Sequence, residues 1–251
     1  MKRILEGLRE LFLPGVCRLC GKECIPAPAY LPKALDDKLC ESCAASLAPY
    51  AGACCEICSL PFMGEGPSHL CPQCEKSSPL FDHLSTWGIY SSSLREAIIA
   101  FKYNGDLKMR GLLSGILIET LKGTWGESSP FDSIVPVPPT SKRLKERGYD
   151  LPSYLTYKAS KEWGVKWRPK ALFRREGGGH VAGLPLKERW RAVRGLYTPR
   201  EKLSGWVLIV DDVATSLATL RACARCCLDA GAEGVSCATL ARTPVTPSKG
   251  S

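Results

Sequence analysis

The stretch that most constrains how this chain can fold is Trp206 to Leu220, W-V-L-I-V-D-D-V-A-T-S-L-A-T-L. Its first five residues are apolar without alternation, the pattern of a strand buried on both faces in a parallel sheet covered by helices. The run ends at Asp211 and Asp212, which puts two carboxylates at the carboxyl end of that strand, where open α/β sheets place their ligands. The turn that follows, Ala214 to Thr219, offers three hydroxyls on Thr215, Ser216 and Thr219, and a helix is expected to begin beyond it with Thr219 as its N-cap. Backbone N–H groups at a helix start, aided by the dipole, suit a phosphate. Carboxylates for hydroxyls or a metal, beside a loop for a phosphate, point to a phosphorylated sugar.

This arrangement resembles the type I phosphoribosyltransferase pattern, an apolar strand followed by D-D-V-x-T-T-G-x-T. Here Ser216 replaces the second threonine and Leu217 occupies the family's glycine. A glycine lets backbone approach the phosphate and tolerates positive φ. Leucine held at positive φ costs roughly 1–2 kcal/mol, and its side chain could cover the N–H groups of the turn. The other arrangement is an ordinary φ at 217 with the leucine turned into the core.

The rest of this half of the chain alternates strands and helices. Thr86 to Tyr90 reads as a strand, and Ser91 to Ser93 can cap a helix whose buried face carries Leu94, Ile98 and Phe101, ending at Asn104-Gly105. Leu107 to Leu121 gives a second amphipathic helix, and Phe131 to Pro139 a short buried strand running into a proline-rigid loop. Tyr154 to Trp163 continues as helix, and Gly177 to His180 is a flexible break. Leu220 to Ala230 is a helix ending at Gly231, with Cys223, Cys226 and Cys227 as small buried residues, and Gly234 to Leu240 is another strand. The expected fold class is α/β, a parallel sheet wound on both sides.

The front end obeys a different rule. Ten of the chain's 14 cysteines fall between Cys17 and Cys74, eight of them in C-x-x-C pairs: Cys17/Cys20, Cys40/Cys43, Cys55/Cys58 and Cys71/Cys74. Two such turns complete a closed tetrahedral zinc site, so two structural zinc ions are the simplest reading, with interleaved pairing of the knuckles also open. Cysteines merely buried in a small core, or an iron–sulfur cluster, are the alternatives. The region is rich in proline and poor in long periodic segments, so metal should supply much of its stability. The expected boundaries are a helix and zinc-knuckle domain over 1–78, a second domain over 79–244 and a disordered tail over 245–251.

Charge is unevenly placed. The chain carries a formal net charge of +9, while Ser141 to Arg200 alone holds 16 Lys and Arg against 5 Asp and Glu. All of the excess therefore lies in that segment, either as a solvated basic face or as a surface for a polyanion. Met1 to Phe12 is broken by charges and lacks the apolar centre of a signal peptide; its apolar residues follow helical spacing. No apolar run reaches the length of a membrane span, so the chain is expected to be cytoplasmic, and 14 cysteines in such a compartment argue for metal ligation or burial and not disulfides.

Taken together the landmarks resemble the ComF family of competence-related proteins, over nearly the whole chain. Phe101-Lys102-Tyr103-Asn104-Gly105-Asp106 is similar to that family's L-K-Y-x-G-D, Val135 to Pro138 to its P-V-P loop, and Arg147-Gly148-Tyr149-Asp150 to its R-G-F-N-Q. Leu172 to Tyr197 resembles the segment that carries a glutamine and R-x-x-N-V. This sequence departs at Asp150 and Leu151 in place of N-Q, near His180 in place of the glutamine, and at Ala192 in place of the asparagine. The resemblance implies zinc knuckles ahead of a phosphoribosyltransferase core of about five parallel strands, association with DNA uptake in natural competence, and single-stranded DNA as a partner. It further implies that Asp211 and Asp212 hold the ribose hydroxyls of phosphoribosyl pyrophosphate or its Mg²⁺. Thr215, Ser216, Leu217, Ala218 and Thr219 then cradle the 5′-phosphate, and Val137 and Pro138 with Lys102 face the pyrophosphate.

Three functions follow from these residues: a DNA-uptake protein that binds through a retained phosphoribosyltransferase fold, an active phosphoribosyltransferase of unknown acceptor, and a zinc-dependent adaptor with no ligand. The basic segment favours the first over the third, the acidic pair favours the first two, and Leu217 weighs against the second. The residues expected to meet DNA are Lys142, Arg143, Lys145 and Arg147, with Arg174, Arg175, Arg189, Arg191 and Arg194 as a second set.

Overall fold

The computed structural model describes residues 15–17, 19–24, 39–62, 64, 66–104, 109–176 and 195–244. The expectations for the amino-terminal helix, the Gly177–His180 break, Arg189, Arg191, Ala192, Arg194 and the 245–251 tail lie outside them.

The expected buried strand is β8, Trp206–Val210, at the heart of a parallel sheet. Beside it stand β10 (Gly234–Arg242) on one flank and β4 (Ser133–Pro136) on the other. Outside these lie β3 (Leu84–Ile89) and β5 (Lys166–Trp167), giving the order β3-β10-β8-β4-β5 with every pairing parallel. A sixth short strand, β9 (Val213–Ala214), continues the chain after β8 and pairs with the far end of β10. The absence of alternation in β8 is explained by its two faces. Leu208 and Val210 enter one core while Val207 and Ile209 enter the other, all 1% exposed or less.

Parallel neighbours require crossovers, and helices supply them. Helices α3 (Ser92–Asn104) and α4 (Met109–Trp125) connect β3 to β4, and α6 (Leu151–Trp163) connects β4 to β5; their buried residues fill the core that holds Leu208 and Val210. Between β4 and α6 lies α5 (Ser141–Arg147), a short helix that carries the first basic cluster. Helix α6 starts three residues before the expected Tyr154 because Asp150 caps it, its carboxylate accepting from the Ser153 N–H at 3.0 Å. On the opposite face, α7 (Ala218–Asp229) packs Leu220, Cys223, Ala224 and Cys227 against Val207, Ile209 and Cys237. It ends at Gly231, whose φ of +105° and a carbonyl oxygen of Leu203 only 2.8 Å from where a Cβ would stand leave room for glycine alone. Strands β6 (Leu172–Arg174) and β7 (Tyr197–Pro199) form a separate antiparallel pair over this second core.

The cysteine-rich front end joins both cores. Strands β1 (Gly15–Val16) and β2 (Glu23–Cys24) and helix α1 (Glu41–Ser46) surround the first knuckles, whose Cys17, Cys43 and neighbouring Leu47 pack with α3 and α4. The second set, with α2 (Pro72–Lys76), packs with α7 on the other face. Backbone bonds stitch the two parts together: Leu84 N–H donates to the Ile57 carbonyl at 2.8 Å, and Tyr50 N–H to the Trp87 carbonyl at 2.8 Å. No helix among the described residues is long and apolar enough to cross a membrane.

Candidate functional site

Three strand ends, the end of α3 and the β6–β7 pair converge on a cleft of about 410 Å³ at the carboxyl edge of the sheet. Its floor is Asp211 and Asp212 after β8, one wall is Val137 and Pro138 after β4, and the other comes from Lys102 near the end of α3. Thr215 and Thr219 line the side where α7 begins. Of the expected site residues, Lys102, Val137, Pro138, Asp211, Asp212, Thr215 and Thr219 line this cleft, because β8, β4 and β3 run parallel and stop at one edge, whereas Ser216, Leu217 and Ala218 are not part of its lining.

Lys102 Nζ lies 2.6 Å from Asp212 Oδ1. Burial works against the lysine's charge, but Asp212 and then Asp211 more than offset it and hold its pKa above the ordinary value. Asp211 behaves differently. Desolvation, followed by the neighbouring Asp212 charge, pushes it up to about 7, against the lowering influence of Lys102 and of the Asp212 N–H that it accepts at 2.8 Å. Asp211 is therefore a carboxyl that takes up a proton readily near neutrality, beside the Lys102–Asp212 ion pair.

Leu217 has φ 62° and ψ −1°, the left-handed conformation in which the family pattern carries glycine. Its side chain is 3% exposed, packed in the core with Ala214, Ala218 and Leu220 rather than lying over the cleft. The two arrangements weighed from the sequence therefore occur in combination: positive φ and a side chain turned inward. Leu217 rather than Thr219 is the N-cap of α7, the helix starts at Ala218, and no side chain caps it. The first-turn N–H groups of α7 are of the kind that finds no partner within a helix. Ser216 is half-buried and Thr215 exposed.

Residues that the sequence reading did not assign to this site complete its walls: Tyr90, Tyr149, Asp150, Arg174 and Tyr197. Tyr149 Oη donates to the Phe101 carbonyl at 3.0 Å, which fixes the helix end carrying Lys102. Arg174, expected at a DNA surface, stands in the cleft wall with its guanidinium carbon 5.6 Å from the Tyr197 ring centroid. The only sequence signal for these aromatic residues was their place beside the R-G-Y-D landmark and at strand ends. Lys142 and Lys145 lie exposed on α5, Lys142 within 3.8 Å of Glu146, while the side chains of Arg143 and Arg147 fall outside the description.

The knuckles form two four-thiol groups, Cys17/Cys20/Cys40/Cys43 and Cys55/Cys58/Cys71/Cys74, each with its sulfurs within 4.8 Å of one another. The pairing is therefore sequential and not interleaved. The Cys20 and Cys40 sulfurs are 3.8 Å apart, as are those of Cys58 and Cys71. A tetrahedron with Zn–S bonds of about 2.3 Å has edges of roughly this length, so the thiols fit zinc. Burial pushes the Cys17 thiol up, but backbone N–H groups of Cys20, Cys40 and Leu19 outweigh it and hold it near 6; the same balance, with Cys58, Cys71 and Ile57, holds Cys55 at about 7. Burial and then the neighbouring thiols push Cys43 and Cys74 far up. A full set of thiolates thus needs a cation to exist, which is the property of a structural metal site.

The chain matches no family model. It is 28% identical over 239 residues to the DNA utilization protein YhgH of Escherichia coli, spanning 93% of this chain and 99% of that one. The Salmonella typhi protein of the same name is 26% identical over 237 residues with the same coverage. The competence protein ComFC of Bacillus subtilis is 24% identical over 216 residues, 83% of this chain and 85% of the other.

Proposed function

We propose that this chain, a member of the ComF family, binds a phosphorylated ribose of the phosphoribosyl pyrophosphate type in its cleft, in the service of DNA utilisation. The observation that carries the reading is the meeting of Asp211, Asp212 and Lys102 on one cleft with Thr215 and Thr219, which flank the left-handed turn at Leu217 where α7 begins. Asp211 and Asp212 take the ribose hydroxyls or a Mg²⁺ ion, for which carboxylate oxygens are the right donors. Thr215, Ser216 and Thr219, with the backbone of Leu217 and Ala218, take the 5′-phosphate, and Lys102 with the Val137–Pro138 loop faces the pyrophosphate. The relatives' names place them in DNA utilization and competence, and the reducing setting implied by two thiol-based metal sites fits a cytoplasmic protein.

The test is calorimetric titration with phosphoribosyl pyrophosphate and Mg²⁺ against ribose 5-phosphate and inorganic pyrophosphate alone. Binding that needs both halves of the ligand supports the reading, and equal or absent binding of all three overturns it. Pyrophosphate release measured in the same samples separates a binding site from an active phosphoribosyltransferase.

A second reading, single-stranded DNA as a partner, is favoured by one exposed feature of the basic segment. The rings of Tyr157 and Trp167 lie 5.0 Å apart and are 40% and 37% exposed, with Lys161 Nζ 5.8 Å from the Tyr157 ring centroid. Lys158, Lys166 and Lys170 are exposed on the same stretch. Aromatic faces for bases beside cations for phosphates are what sequence-tolerant strand binding uses. Affinity should fall steeply with salt, since each neutralised phosphate releases counterions. Charge reversal of Lys142, Arg143, Lys145 and Arg147, or of Arg174, Arg175, Arg189, Arg191 and Arg194, should reduce both affinity and salt slope; reversal of either set that leaves binding and its salt slope unchanged removes the reading.

A further inference from the structure

Arg242, near the end of β10, is 3% exposed. Among the described residues its guanidinium meets carbonyl oxygens and no carboxylate. Nε donates to the carbonyl of Cys58 at 3.1 Å, and Nη1 to those of Ala214 at 3.0 Å, Thr243 at 3.2 Å and Thr215. Cys58 belongs to the second four-thiol group, while Ala214 and Thr215 open the turn that lines the cleft.

A buried cation is costly unless its hydrogen bonds are well met, and packing alone would be served by an apolar side chain. What the planar fork supplies, and an apolar residue cannot, is a fixed geometry among carbonyls from distant parts of the chain. The backbone around it works in the same direction: Thr243 N–H donates to the Ala214 carbonyl at 2.9 Å, and Leu240 N–H to that of Asp212 at 3.1 Å. A second arginine, Arg221 in the first turns of α7, donates to the Ser77 carbonyl at 2.6 Å and so ties the helix start to the same knuckle.

We infer that Arg242 is a positioning residue that makes the ligand turn at 213–217 depend on the Cys55/Cys58/Cys71/Cys74 centre. A filled centre fixes the Cys58 carbonyl; the fork bonded to that carbonyl then fixes those of Ala214 and Thr215, and with them the direction of the N–H groups that follow. Among the described residues the first thiol group shows no such link, its Cys17 and Cys43 packing in the other core. This inference rests on the cleft reading for the purpose of the turn but not for the coupling itself.

The experiment is amide hydrogen exchange of the full chain carrying two zinc ions, comparing residues 212–219 with the β4 amides of Ser133, Ile134 and Val135. In Arg242→Lys one ammonium cannot span the carbonyls, so the turn should exchange at least tenfold faster while β4 and the zinc content stay as in the wild type. Cys74→Ser should produce the same selective loss, and Cys20→Ser, which damages the first centre, should leave the turn unchanged. Turn exchange that stays at the wild-type rate in both Arg242→Lys and Cys74→Ser overturns the inference. So does loss of protection in turn and β4 together in both variants, which would make the knuckle a general support of the sheet. Exchange requires no ligand, so a wild type that fails to bind phosphoribosyl pyrophosphate sinks the cleft reading and leaves the coupling intact.

Discussion

Lys102 Nζ and Asp212 Oδ1 lie 2.6 Å apart, closing an ion pair between the end of α3 and the turn after β8. Asp212 is engaged by this ion pair, whereas Asp211 is pushed up to about 7 by desolvation and by Asp212. Division of labour between the two carboxylates follows from this contact.

Asp212→Asn should weaken phosphoribosyl pyrophosphate binding by tenfold or more, because it removes a hydroxyl or metal ligand and leaves the Lys102 ammonium without its partner. Calorimetry on Asp212→Asn beside Asp212→Glu reads the effect, and the glutamate variant should recover part of it. Equal affinity in wild type and Asp212→Asn would remove Asp212 from the site.

For Asp211 the sign of the pH dependence follows from its raised folded-state pKa. Between about 4, its ordinary unfolded value, and about 7, the folded chain binds more protons than the unfolded one, so this group favours the fold increasingly as pH falls through that window. The ligand-free protein should therefore lose stability in passing from pH 5 to pH 8 by an amount that Asp211→Asn abolishes. Denaturant titration of both proteins at the two pH values measures it. Identical pH dependence in the two would show that Asp211 is not the responsible group.

Leu217→Gly sets two effects against each other. Relief of a left-handed leucine contributes roughly 1–2 kcal/mol, whereas emptying a leucine-sized space in a core costs about 2–5 kcal/mol. With the side chain 3% exposed, the core term should win and Leu217→Gly should be less stable by about 1–3 kcal/mol. The sequence pattern alone predicts tighter ligand binding in this variant. Since the leucine side chain faces the core, affinity should instead change by less than about threefold, and a tenfold gain would restore the view that the side chain covers the phosphate site.

Two zinc ions per chain should be found by elemental analysis of protein purified under reducing conditions. Chelation should disturb residues up to about Ser78. Because Cys17 and Cys43 share one core with α3 and α4, and the second group shares the other with α7, it should also lower the melting temperature of the sheet domain. Metal-free protein that melts as the loaded protein does would show that the thiols are only packed.

The sequence by itself determined the pieces whose physics is local. Lack of alternation in Trp206–Val210 specified a strand buried on both faces from Val207 on, though Trp206 itself is exposed, the C-x-x-C spacings specified thiol knuckles, and Gly231 marked the end of α7 because its backbone conformation excludes a side chain. Helix ends were less legible: Thr219 carries the right side chain for a cap, yet the chain turns two residues earlier because burying Leu217 outweighs its unfavourable φ. Only the tertiary structure decided which knuckles pair, since spacing permits either arrangement while the sulfurs meet in just one. It alone brought Arg174, Tyr149 and Tyr197 to the cleft and Arg242 between a knuckle and a turn. Those contacts join residues far apart in the chain through parallel strands ending at a common edge, and no local propensity records which strand lies beside which.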